Sequence, residues 1–434
     1  MHYRSVIPVI AGYLFTANVF AADLMQTYME ALANDPQYAS ARAALMAGQE
    51  KSTQGLSKLL PNLNASGSYG RNYLEGLDYT ENKYTIALTQ PIFNWANFQN
   101  YANSKLEVSI SEAQFAQAQQ DLMMRVAQAY FDVLTAQDVL TFAQAQKAAV
   151  AQQLEQAKRS FEIGTVTITD THEAEARYNL AESDEIAAIN DLEVKCTALE
   201  QIIGHPPGVL DPLKKGVTLS APEPNVMSSW VNSAENQNYQ VVQYRLSHEM
   251  AKRNIEINKA GHYPTVDLVA SYNHTDHAQY MIDSNGGIRD YNTSKMVGVQ
   301  WNIPIFSGFG VTSKVKESIA LEDKARNDLE ASRRSAAQLA RQSYLGVNSG
   351  LSQVKALEAA EVSSLSSLES NKLGYEVGVR INIDVLNAEQ QVFMTRRDLT
   401  RARNNTIING LRLKQAAGTL NEDDLKHVNM LLQK

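Results

Sequence analysis

Proline is distributed so unevenly in this chain that its spacing alone constrains the architecture. None occurs between Pro91 and Pro206, and none after Pro304, although the chain runs on to Lys434. Proline lacks an N–H and clashes with the preceding turn, so two gaps rich in Ala, Gln, Leu and Glu predict two very long helical tracts. Composition is compatible with that: 44% hydrophobic and 20% charged residues with a mean hydropathy of -0.31 argue against disorder, a collagen-like chain and a polytopic helical membrane protein. A net charge of -8 without a basic stripe argues against nucleic acid as a partner.

An internal repeat organises the rest. Phe161–Asp170 (FEIGTVTITD) recurs as Tyr375–Asp384 (YEVGVRINID), 214 residues further on. The same offset carries Tyr130 onto Tyr344, and Leu199–Gly204 (LEQIIG) onto Leu413–Gly418 (LKQAAG). Upstream, Gln90–Phe93 answers Ile303–Phe306 at 213, and Pro61 answers Pro264 at 203, so the second copy is longer between those points. The chain therefore divides into a first repeat at 22–205, a proline-rich linker at 206–224, a second repeat at 225–418 and a C-terminal segment at 419–434.

Within each repeat the hydrophobic period changes. Leu63, Ala65, Gly67 and Tyr69 alternate with Asn64, Ser66 and Ser68, and Tyr84, Ile86 and Leu88 with Thr85, Ala87 and Thr89. The second repeat has Val266, Leu268, Ala270 and Tyr272, then Val297, Val299 and Trp301 against Gly298, Gln300 and Asn302. Strands are expected at about 62–73, 83–91, 265–273 and 295–304. Period two fits a half-buried strand of a soluble sheet as well as a transmembrane barrel strand, and the pattern alone leaves both open. Tyr69, Tyr73, Tyr79, Tyr84, Tyr272 and Trp301 would suit an aromatic girdle.

After each strand pair the period becomes helical. Leu122, Val126, Ala129, Val133, Ala136 and Leu140 step by fours and threes, a heptad seam that predicts coiled-coil packing. Long helices at about 100–163 and 311–377 would each approach ~95 Å, whereas return helices at 171–203 and 385–417 reach only ~50 Å. The stretches 36–57 and 239–261 are expected to stack end to end with the return helices and cover the remainder. Four membrane strands cannot close a barrel, and an open edge in lipid strands backbone groups without partners, so membrane insertion would require several copies.

Arg4, the apolar run Val6–Phe15 and the small-residue site at Val19–Ala21 read as a secretory signal peptide over 1–21. The single Cys196 is expected to be a small buried side chain. His274, Asp276 and His277 are expected in an external loop, with too few ligands for a metal. No Walker loop, GxSxG, HExxH or Cys-x-x-Cys occurs, which leaves an enzymatic reading and a cofactor without residues.

The export signal, the duplication, Ala129–Leu140 (AYFDVLTAQDVL), the repeated turn segments, Gly374–Leu386 (GYEVGVRINIDVL) and Ala416–Leu425 (AAGTLNEDDL) together resemble the TolC family of outer-membrane channel-tunnels over essentially the whole chain. The resemblance implies a mainly α fold with a membrane β-barrel portion. A homotrimer would form a twelve-stranded barrel set in outer-membrane lipid and continued by an α-helical barrel across the periplasm. It further implies an exit duct for type I protein secretion and multidrug efflux, docked to an inner-membrane ABC or proton-driven transporter and a periplasmic adaptor. A competing reading is a wholly periplasmic coiled-coil adaptor, which would share the signal and the heptads but would not need four barrel-like strands.

Both repeats end a long helix at a glycine, Gly164 or Gly378, and begin the next with an acid, Asp170 or Asp384. Asp170 can be a plain helix cap, with Glu173 completing a capping-box pattern. The resemblance adds a second role, in which Thr169, Asp170, Tyr375 and Arg380 hold the periplasmic end shut and Asp384 forms a cation-selective constriction. Here the chain departs from the family's best-known pattern, because Asn387 stands where a second aspartate would be.

Overall fold

The computed structural model describes residues 22–74, 77–165, 167–214, 216–282 and 288–433; the signal-peptide segment 1–21 lies outside them. Two helices open the chain, α1 (Leu24–Asn34) and α2 (Pro36–Ser57), followed by a hairpin of β1 (Asn62–Leu74) and β2 (Leu77–Phe93). Then come α3 (Trp95–Glu162) and α4 (Ile168–Ile203). The second repeat runs α5 (Met227–Gln237), α6 (Tyr239–Lys259), β3 (Thr265–Ile282), β4 (Ile288–Asn302), α7 (Gly310–Glu376) and α8 (Asn382–Ala416), and α9 (Glu422–Asn429) ends the chain. At 68 and 67 residues, α3 and α7 are each ~100 Å long.

The helix α3 starts earlier than the periodicity suggests because a local signal sets its start. Pro91 disturbs the ladder, with the register slipping between Pro91 and Phe93, and Asn94 then caps the helix by accepting the Asn97 amide at 3.1 Å. Neither long helix is covered by one partner. Along α3, α4 packs the distal part, where Leu154, Ala157 and Ala174 meet, and α2 packs the strand-proximal part, where Gly48 and Gly55 sit against Ser111 and Ser104. Helices α8 and α6 cover α7 in the same way. Both glycines are required, since an added Cβ would fall within 2.1 Å of a serine hydroxyl.

The hinge between α1 and α2 is Asp35, which is buried and caps α2 through the Tyr38 amide at 2.6 Å. Arg125 of α3 donates to both its carboxylate oxygens at 2.7 and 3.0 Å. Burial opposes the Asp35 charge, but the Arg125 hydrogen bonds and the Tyr38 and Gln37 amides outweigh it and hold the carboxyl below its usual range.

Midway along α3 the packing is no longer a single seam. From Leu122 to Leu134 most α3 side chains are buried, among Leu24 and Tyr28 of α1, Leu199 and Ile203 of α4, Ile407 and Leu411 of α8, and Leu425 and Leu432 near α9. The proline-rich linker is stitched into this belt: Ala22 bridges Leu210 and Leu213 bridges Leu432. Cys196 is half-buried rather than enclosed, at the margin of the same cluster, and burial raises its thiol pKa.

The four strands form one antiparallel sheet in the order β1-β2-β3-β4, so β2 and β3 join the repeats and β1 and β4 are its edges. Register places Leu63, Leu88, Ala270 and Val297 in one row and Ala65, Ile86, Tyr272 and Lys295 in another on the same face. That face is largely apolar yet open, with Val297 78% and Trp301 68% exposed. The opposite face carries rows such as Ser66, Thr85, Asn273 and Ser294, where the Thr85 hydroxyl donates to Asn273 at 2.9 Å.

The strands outrun their apolar stretches because pairing continues where neither face is apolar. His274, Asp276 and His277 accordingly lie inside β3, not in a loop. His274 makes a 2.7 Å hydrogen bond with Thr293 of β4 and sits 3.0 Å from Asp276. Among the described residues, no helix is long and apolar enough to cross a membrane.

Candidate gate at the helix turns

The two helix-to-helix turns begin with the same backbone geometry. At the end of α3, Gly164 adopts φ +75 and the Thr165 amide returns to the Ser160 carbonyl at 2.9 Å. At the end of α7, Gly378 adopts φ +78 and the Val379 and Arg380 amides return to the Gly374 carbonyl at 2.8 and 3.1 Å. The left-handed conformation explains both glycines, since a Cβ there would meet open space but strain the backbone.

The acids that follow behave differently. Asp170 closes a capping box, accepting the Thr167 amide at 2.9 Å and the Thr167 hydroxyl at 2.8 Å while Thr167 caps α4. Its box partner is thus the N-cap Thr167, not Glu173. Asp384 lies in the first turn of α8, whose N-cap Ile381 has no side-chain acceptor to offer, and pairs with Arg380 at 3.5 Å. Among the described residues of the protomer, then, Arg380 pairs with Asp384 and not with the first-repeat turn. Thr169 is exposed and Tyr375 half-buried, and neither has a side-chain hydrogen bond among the described residues.

Just above the turns, side chains absent from the sequence expectation fasten α8 to its neighbours. Arg177 of α4 donates to Gln390 Oε1 at 2.8 Å and to Asn387 Oδ1 at 3.0 Å. Gln153 of α3 donates to Glu389 Oε2 at 2.8 Å, and Lys372 of α7 approaches the other Glu389 oxygen at 3.3 Å. Glu389 is only 6% exposed. Its spacing held a signal, because it interrupts the buried stripe of Val385, Leu386 and Val392 with a carboxylate. Farther up, Lys147 of α3 lies between Glu185 and Glu182 of α4 at 2.9 and 3.0 Å, and these hydrogen bonds raise its pKa.

Gln153 is the last rung of a polar ladder between the repeats. Asn103 bonds Asn254 at 2.8 Å, Gln117 bonds Gln243 at 2.8 Å, and Thr135 bonds Asn404 at 2.8 Å. The seam between the two halves is therefore hydrogen-bonded along much of α3.

A sheet with an exposed apolar face, carried on helices ~100 Å long that end in paired turns, defines a channel protein of the tunnel type. Residues 27–205 and 230–419 match the model of the outer membrane efflux protein family, and the chain belongs to that family. It is 33% identical to the outer membrane protein TolC of Escherichia coli strain K12, covering 99% of this chain and 90% of that protein. It is 29% identical to the alkaline protease secretion protein AprF of Pseudomonas aeruginosa, covering 96% and 88%. The outer membrane protein VceC of Vibrio cholerae shares the fold, with a TM-score of 0.78 at 18% identity over 91% of this chain and 96% of that one. The protein is a channel of the outer membrane, and the adaptor reading finds no support among these relatives.

Proposed function

We propose that three copies of this chain pair the β4 edge of one with the β1 edge of the next. They form a twelve-stranded barrel in outer-membrane lipid and a helical tunnel in the periplasm. The observation that carries this is the four-stranded sheet with both edges open and its apolar face uncovered, an arrangement lipid tolerates only after closure. The duct serves efflux and type I protein secretion; a relative is named for alkaline protease secretion and the family for efflux. An inner-membrane ABC or proton-driven transporter with its periplasmic adaptor supplies the cargo.

The turns are the gate. Thr169, Asp170, Tyr375 and Arg380 hold neighbouring turns together across the threefold axis, and Asp384 sets the acidic constriction. Arg380 is exposed and already pairs with Asp384 of its own protomer, so each link it makes to a neighbour is weak and reversible, worth under about 1 kcal/mol, and threefold repetition multiplies it. Extraction of the outer membrane in detergent should yield a heat-resistant trimer that conducts in planar bilayers. Deletion should abolish export of a secreted protein or sensitise cells to drugs. A soluble periplasmic monomer without conductance would refute the reading.

A further inference from the structure

Asn387 removes a negative charge from the neighbourhood of Asp384, and the structure gives that position a different use. A guanidinium only donates, so the two amides it meets must both present their oxygens to it. Asn387 and Gln390 stand three residues apart, on one side of α8, and Arg177 reaches both at 3.0 and 2.8 Å. Helices α4 and α8 meet over only a short stretch, so this fork is a principal tie between them. On its other side α8 is held by Gln153 and Lys372 through Glu389.

We infer that Arg177 is a gate residue of this channel, a clamp that fastens α8 to α4 in the closed state and takes up the side chain three residues beyond Asp384. The inference rests on the reading of these turns as the channel's closing end. Two consequences follow. Swinging α8 away from α4 must release two charge-assisted hydrogen bonds, while the freed guanidinium, being half-exposed, is re-solvated readily. Residues three apart on a helix are neighbours, so the clamp also places a cation close to Asp384 and gives the constriction mixed sign. Lysine could not replace it, because one ammonium lacks the planar fork that spans both acceptors.

The test is conductance of the purified trimer in planar bilayers, with the heat-resistant trimer on gels as the folding control. Arg177→Gln should raise open probability about tenfold and shift the reversal potential toward cations. Arg177→Lys should raise open probability similarly yet keep the wild-type reversal potential. Asn387→Asp alone should leave trivalent-cation block near wild type, because Arg177 neutralises the new carboxylate, and adding Arg177→Gln should tighten block about tenfold. Unchanged gating and selectivity in a conducting Arg177→Gln trimer would overturn the clamp, as would Asn387→Asp blocking as tightly as the double variant. A wild-type trimer that forms no pore would instead overturn the channel reading beneath it.

Discussion

Arg380 and Asp384 are ion partners within one protomer, 3.5 Å apart across the start of α8, although the family resemblance assigns them to different parts of the gate. The Arg380 side chain reaches this position by lying over Gly374, where a Cβ would come within 2.7 Å of it. Arg380 thus pairs with the acid proposed for the constriction and remains exposed enough to exchange partners.

The pairing sets the strength of cation block. With Arg177 held at Asn387 and Asp384 shared with Arg380, a trivalent cation should block the wild-type pore weakly. Asp384→Ala should abolish that block, and Arg380→Ala should strengthen it several-fold by freeing the carboxylate. Single-channel recordings with and without the cation decide; equal block in wild type and Asp384→Ala would remove Asp384 from the constriction.

Tyr130 and Tyr344 test the duplication energetically. Tyr130 donates its phenol to the carbonyls of Ala22 and Asp211 at 3.1 and 3.0 Å, and Tyr344 donates to Asn225 at 2.7 Å. Both phenols anchor segments flanking or within the linker, one in each repeat. Tyr130→Phe should cost about 1–3 kcal/mol and Tyr344→Phe about 1 kcal/mol, read as lowered melting temperatures of the trimer.

Acid should loosen the belt through Asp35. Its carboxyl is held below the ordinary value, so the contribution is fully present above the unfolded value of about 4 and is lost as pH falls through the folded one. Asp35→Ala removes a cap and the carboxylate that both Arg125 hydrogen bonds reach, which should cost about 2–4 kcal/mol at neutral pH. The variant should also lose part of the wild type's acid sensitivity, measured as melting temperature against pH.

Sheet register predicts opposite outcomes for adjacent residues. Val297→Lys puts a charge on the apolar face and should cost about 2–4 kcal/mol near the bilayer midplane, reducing trimer in the membrane fraction. Met296→Lys lies on the polar face and should insert normally. Similar losses in both variants would mean the faces are assigned wrongly.

The long helices and the paired turns were legible because proline spacing and a repeated segment are local properties of the chain. The full strands were not. His274 and Asp276 belong to β3 through pairing with β4, and a stretch polar on both faces carries no period to read. The encirclement of α3 at Leu122–Leu134 was hidden for another reason: a heptad identifies one seam, whereas the linker, α1 and α9 arrive from distant parts of the sequence. Arg177 was missed because its acceptors lie some 210 residues away, and Asn387 reads from sequence only as a missing acid.

The open edges at β1 and β4 carry a genetic consequence. In a three-membered ring every chain must offer both edges, so one copy with a spoiled β4 edge disables two sound partners along with itself. Co-expressed at equal levels with the wild type, such a copy would leave only about one ring in eight wholly wild type by random mixing. An edge-defective allele should therefore be dominant-negative, while a null allele of the same gene should be recessive.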